Sequence, residues 1–186
     1  MRPQKRRRTA SPLNEAKLQE LALAYVGRYA TSRAKLGSYL TRKIRERGWD
    51  GAGEPRIQAL CERLAGLGYV DDRAYALAKS QALTGRGYGK RRLEDKLRQA
   101  GIDEEDGRPA REHAEEEALS AALRFAERRK LGPFAMAKPA DPKEREKRIA
   151  AMVRAGHPFR LARAIVDLEP DSPLDIEKLM QSANLI

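Results

Sequence analysis

Three glycines, Gly48, Gly101 and Gly156, stand 53 and 55 residues apart, and each closes a segment patterned like an amphipathic helix. The segments read "LGSYLTRKIRERGWD", "GKRRLEDKLRQAGID" and "REKRIAAMVRAGHPF". Leu40 and Leu93 stand eight residues before the first two glycines, and Ile44, Leu97 and Met152 stand four before all three. Apolar residues four apart share one helical face, and glycine readily adopts the left-handed conformation that ends a helix. A recurrence at this interval predicts a tandem array of helical units. Ile57 and Leu60 follow the first glycine by nine and twelve residues, and Ile165 and Leu168 follow the third by the same offsets. The middle copy breaks that second rule, with Pro109 or Ala110 and Glu112 in the region. The competing reading is a helix-rich chain whose helices end in glycine without being repeats.

Composition agrees with an all-α fold. Ala, Leu, Arg, Lys and Glu dominate, β-branched residues are scarce, and aromatics make up 5%, the profile of good helix formers. The first amphipathic segment follows Asn14 and carries Leu18, Leu21, Ala22, Tyr25 and Tyr29. Thr31 and Ser32 offer the next cap, ahead of a helix over 32–47. After the loop "WDGAGE", Pro55 opens a third helix with Ile57, Leu60, Cys61 and Leu64 on one stripe.

The stretch "GYVDDRAYA" places two carboxylates, Asp71 and Asp72, side by side. As an N-cap, Asp71 accepts from free backbone N–H groups of the first turn. Asp72 then lies in that turn, where the macrodipole favours an anion. Val70 and Tyr75 fall at the two positions of a hydrophobic staple. A metal or acid–base site would need further ligands, and His113 and His157 stand apart from each other and from these acids. Capping is therefore the expected role.

Other chemistry is thin. The run "GRGYGKRR" lacks the GxxxxGK[ST] spacing and the preceding strand of a phosphate loop. Its glycines are read as ending one helix, with Lys90 starting the next. Cys61 is the only cysteine, which leaves no internal disulfide and no four-cysteine zinc site; it is read as a small core residue. Trp49 is read as packing over a helix end, or else as an exposed anchor for a partner. No catalytic, cofactor-binding or metal-binding residue is expected, and these residues point away from an enzyme.

The formal charge is +11. Residues 1–12 hold five basic residues and no acid, which predicts a disordered basic tail. The rest still carries 33 basic against 27 acidic residues, a balance that draws a protein toward polyanions. Eight acids against two arginines make 103–117 an acidic joint. The apolar runs are too short for a membrane span, and the basic N-terminus lacks the apolar stretch of a secretory signal, so a cytoplasmic protein with no membrane partner is expected.

"LGYVDDRAYA" followed by "GRGYGKRRLEDKLRQAGID" resembles the signature of the RecX regulatory proteins, bacterial modulators of the RecA recombinase. Gly68, Tyr69, Val70, Asp71 and Asp72 match its first part, Gly87, Tyr88 and Gly89 its second, and Leu93, Leu97, Gly101 and Ile102 its last. Leu83 and Ala100 depart from it, each standing where the family usually has a basic residue. The helix face Tyr75, Ala78, Ala82 is unusually small, and the acidic third helix of the middle unit holds Pro109.

The resemblance implies three tandem three-helix repeats stacked in an elongated curved rod. It divides the chain into a tail over 1–13, repeats over 14–70, 71–113 and 114–170, and a C-terminal tail over 171–186. It also implies a monomeric, cofactor-free partner of the RecA filament on single-stranded DNA, which limits filament growth and lowers ATPase, strand exchange and co-protease activity. Contacts with partner or DNA are expected at Lys35, Arg42, Arg45, Arg86, Lys90, Arg91, Arg92 and Arg98. Those on the helices over 32–47 and 90–100 point away from the apolar faces and could merge into one basic stripe. Two solvated helix faces are the plain alternative.

Three rivals stand beside this reading. One is a nucleic-acid-binding helical protein that acts without RecA. Another is a helix-turn-helix module, disfavoured because the post-glycine helices begin with acids or prolines instead of base-reading side chains. A hydrolase lacks its constellation.

Overall fold

The computed structural model describes residues 11–183, and those residues form ten α-helices, one short 3-10 turn and no β-strand. The chain divides after Tyr75 into two compact units.

In the first unit, α1 (Glu15–Val26), α2 (Arg33–Arg47) and α3 (Ile57–Gly66) enclose a core of Leu13, Leu18, Ala22, Leu36, Leu40, Cys61, Leu64 and Val70. Asn14 and Ser32 cap α1 and α2, accepting from Lys17 N at 3.1 Å and Lys35 N at 3.2 Å. Leu13 falls inside the expected tail yet is fully buried. Its N–H donates to Gly48 O at 3.0 Å and its carbonyl accepts from Asp50 N at 2.7 Å. Two backbone bonds and an apolar side chain hold Leu13 in the core, so the packed chain begins before α1. Residues 1–10 of the expected tail lie outside the described residues. Trp49 is half-buried against this core, and its Nε1–H donates to Gly53 O at 2.7 Å, closing the "WDGAGE" loop. Tyr29 lies beyond the end of α1 and is exposed, its ring 5.2 Å from that of Tyr25.

The second unit continues α4 (Asp72–Gly85) into α5 (Lys90–Gln99), α6 (Glu104–Glu116), α7 (Ala118–Arg129), α8 (Pro142–Arg154), α9 (Phe159–Val166) and α10 (Ile176–Ala183). Its largest cluster joins Phe125, Leu131, Ile149, Met152, Leu161, Ile165, Val166 and Leu179. The buried stripe of α4 is Tyr75, Ala76, Ser80, Leu83 and Thr84, while Ala78 and Ala82 face solvent. The expected face through Tyr75, Ala78 and Ala82 is therefore wrong beyond Tyr75. Ser80 and Thr84 are tolerated in the core because each finds an acceptor: Ser80 Oγ donates across to Ala110 O of α6 at 2.8 Å and Thr84 Oγ1 to Ser80 O at 3.1 Å. The segment 171–186 is not merely a tail, since α10 packs on α9 through the buried Leu179.

The recurring glycines end helices, as expected. Gly48, Gly101 and Gly156 follow α2, α5 and α8 with φ of +84°, +64° and +101°. The second correspondence fails. Ile57 is the first residue of α3, whereas Ile165 lies in the last turn of α9 and Leu168 lies past its end. The "WDGAGE" loop delays α3 to nine residues after its glycine, while α6 and α9 each start three after theirs. The middle copy keeps a packed helix even without that aliphatic pair: α6 forms across Pro109 and buries Gly107, Ala110 and Ala114.

Candidate partner and nucleic-acid interface

The double aspartate splits into two structural tasks. Asp71 Oδ1 accepts from Ala74 N at 2.8 Å, the expected cap of α4. Val70 and Tyr75 are both buried, as a staple requires. Asp72 does more than sit in a favourable field. It is buried, and its two oxygens accept from Arg33 N at 2.8 Å and Arg33 Nε at 3.0 Å. One carboxylate thereby supplies an acceptor to the first turn of α2 and binds the side chain that opens it.

The Gly-rich turn before α5 is a backbone joint and not a phosphate cradle. Gly89 N donates to Ala155 O at 3.0 Å, and Arg91 N donates to Gly156 O at 3.3 Å. The carbonyl after α8 thus occupies the N-terminus of α5, where an anion would otherwise bind. A Cβ on Gly89 would lie 2.3 Å from Gly156 O, and one on Gly156 2.6 Å from Arg92 N. His157 completes the joint, with Nε2 3.0 Å from Gly87 O and its ring 5.6 Å from Phe125. Its Nδ1 is buried without a partner, and burial pushes its pKa below the usual histidine value. His113 Nδ1 lies 3.1 Å from Ser80 Oγ. With the hydroxyl proton committed to Ala110 O, this histidine is the donor. Cys61 is buried, and burial raises its thiol pKa, so it serves as core. Among the described residues no group of three or more His, Cys, Asp or Glu is placed to hold a metal ion. No described helix is long and apolar enough to cross a membrane.

The remaining family-motif positions are mostly structural: Leu93, Leu97 and Ile102 are buried, and Gly68, Gly87 and Gly101 have positive φ. Tyr69 differs, since it is exposed between α3 and α4.

The basic residues named from the sequence divide by partner. Lys35 Nζ donates to Tyr75 OH at 2.8 Å, which draws it into the first unit's own framework. Arg42 is exposed beside Glu46 at 3.7 Å and over the Tyr39 ring at 5.7 Å. Arg45 is exposed with no ion pair among the described residues. In the second unit Lys90 pairs with Glu115 of α6, and Arg111 of α6 reaches Glu94 of α5 at 2.9 Å. The acidic joint is thus a helix whose charges partly neutralise α5 and whose Asp103 caps its own first turn. Arg91 and Arg98, seven residues apart, share one face of α5 and stay exposed, Arg98 lying 3.5 Å from Asp95. Arg92 turns elsewhere, over the Tyr88 ring at 5.9 Å, where Arg86 joins it at 5.6 Å.

Sequence reasoning missed Arg128 and Arg129 in the last turn of α7. Arg128 lies over both the Tyr88 ring, at 5.8 Å, and the Phe125 ring, at 5.5 Å, and Arg129 lies 5.9 Å from Phe125. The signal was available in "FAERR", where arginines follow Phe125 at the spacing of helical neighbours.

No family model matches the sequence. The chain is 31% identical over 176 residues to the regulatory protein RecX of Myxococcus xanthus strain DK1622, covering 89% of this chain and 91% of that one. It is 38% identical over 96 residues to the regulatory protein RecX of Mycobacterium sp. strain KMS, half of each chain. The fold is similar to the crystal structure of RecX from Lactobacillus salivarius, with a TM-score of 0.57 at 16% identity over 92% of this chain and 97% of that one. A near-complete match at this identity is a statement about the whole chain and not about one motif. The chain belongs to the RecX family of regulatory proteins.

Proposed function

We propose that this protein binds the RecA filament on single-stranded DNA and limits its growth, lowering ATP hydrolysis, strand exchange and co-protease activity. The observation that carries the reading is the family match over 89% of the chain. The exposed arginines support it. Arg42 and Arg45 on α2, and Arg91 and Arg98 on α5, offer positive charge to a surface of acidic side chains and phosphates. Such charge steers encounter and sets register, and the packed helices behind it supply a rigid platform. The same reading takes the chain as three tandem helical repeats acting as a monomer without a cofactor.

The test is ATP hydrolysis by RecA on single-stranded DNA as purified protein is added. Inhibition that saturates with added protein is expected. Unchanged hydrolysis, at concentrations where the protein binds bare DNA, would favour a nucleic-acid-binding protein that acts without RecA.

A further inference from the structure

Tyr88 stands half-buried in the turn between α4 and α5, and three guanidinium groups surround its ring: Arg86, Arg92 and Arg128, at 5.6, 5.9 and 5.8 Å. Arg128 and Arg129 also lie over Phe125. The four arginines come from two distant places in the chain, and all are exposed. None forms an ion pair among the described residues. In the same unit Arg98, Arg111, Arg124, Arg145, Arg148 and Arg163 each pair with a carboxylate.

Four like charges gathered with no carboxylate paired to them repel one another, and at an exposed site a ring face offsets only part of that repulsion. The cluster is nonetheless held together, because Arg128 donates to the carbonyl of Arg86 and lies over both the Tyr88 and the Phe125 rings. Such a surface suits an anion with several closely spaced charges. The arginine fork matches phosphate oxygens in a bidentate geometry. A nucleic-acid strand supplies one phosphate per nucleotide, whereas carboxylates crowded to the same density on a folded partner would repel each other.

We propose that Arg86, Arg92, Arg128 and Arg129, oriented by Tyr88 and Phe125, directly contact the phosphates of single-stranded DNA. The choice of single-stranded DNA among polyanions rests on the filament reading, while the contact itself needs no RecA and is tested on bare DNA.

The test uses the full chain and a fluorescein-labelled strand of about 30 thymidines, with anisotropy titrations at several salt concentrations; for single strands log affinity falls with log salt at a slope of about −0.7 per phosphate contact. The combined variant Arg86→Glu, Arg92→Glu, Arg129→Glu should bind at least about tenfold more weakly at low salt, with a shallower salt dependence reflecting lost phosphate contacts. The matching glutamine variant, which avoids adding negative charge to the turn, should shift the same way. Lys143→Glu, Lys147→Glu, Arg160→Glu makes the same change of net charge at exposed positions elsewhere in the unit and should leave affinity within about threefold, as expected if local contacts outweigh total charge. Equal loss in that control, or wild-type affinity in both arginine variants, overturns the proposal. So does an arginine variant that binds DNA normally but no longer inhibits RecA, which would make the patch a protein contact. Selective loss of DNA binding, with a wild type that fails to inhibit RecA ATPase, would leave this contact standing and remove the filament reading instead.

Discussion

Asp72 and Arg33 are joined twice, the buried carboxylate accepting from the backbone N–H at 2.8 Å and from Nε at 3.0 Å. Residues 39 positions apart thereby fix the start of α4 against the start of α2. The neighbouring Asp71 caps only its own helix. Adjacent acids of identical chemistry thus carry different weights.

Asp71→Ala should cost about 0.5–2 kcal/mol, the usual loss for an N-cap. Asp72→Asn weakens two charge-assisted bonds at a buried site and should cost more, about 1.5–3 kcal/mol. Urea denaturation of both variants checks the order. An Asp72→Asn protein as stable as wild type would remove the clamp, and a folded Asp71→Ala protein with no regulatory activity would revive a functional role for that carboxylate.

Gly89→Ala should destabilise the second unit by about 1–3 kcal/mol, because a methyl group must displace backbone and not a pliable side chain. Its Cβ would sit 2.3 Å from Gly156 O. Thermal melting checks this. Gly66→Ala is the control, since nothing lies within 4 Å of a Cβ there, and it should melt near wild type.

His157 gives stability a pH dependence of fixed sign. Burial depresses its pKa in the folded protein below the ordinary histidine value. The unfolded chain therefore binds the proton more readily, and His157's contribution is present above about pH 6.5 and falls as the pH drops toward the folded pKa. Comparing the melting temperatures of wild type and His157→Gln between about pH 7.5 and pH 5 isolates its share. The gap should narrow as the pH falls. A gap that is constant or widens contradicts a neutral buried ring.

Arg91→Glu with Arg98→Glu should leave the melting curve nearly unchanged, since both side chains are exposed on α5. Inhibition of RecA should weaken strongly, and wild-type inhibition should weaken with added salt. Glu116→Lys on the exposed end of α6 should not imitate that loss. Glu115 makes a poor control, because it pairs with Lys90.

How much of this was legible in the sequence follows from the range of each interaction. Helix ends are local, so Ser32 and Asp71 could be read as caps and Gly48, Gly101 and Gly156 as stops, while Asp103, counted only among the acids of the joint, proves to cap α6. The positions of α3 and α9 could not be matched by counting, because a six-residue loop shifts one of them. Leu13 looked like tail because its partners, Gly48 and Asp50, lie more than thirty residues away. The Gly89–Gly156 joint and the four arginines around Tyr88 and Phe125 are products of tertiary packing. Periodicity within α5 even misdirects there: it groups Arg92 with Arg91, although Arg92 turns to Tyr88.

The most direct test of the account is the protein's affinity for single-stranded DNA coated with RecA against its affinity for the same strand bare, both at about 150 mM salt, where exposed charge acts over only about 8 Å. Clearly tighter binding to the coated strand is expected, with saturation accompanied by loss of ATP hydrolysis. Equal affinity for both strands, with hydrolysis unchanged at saturation, would contradict it.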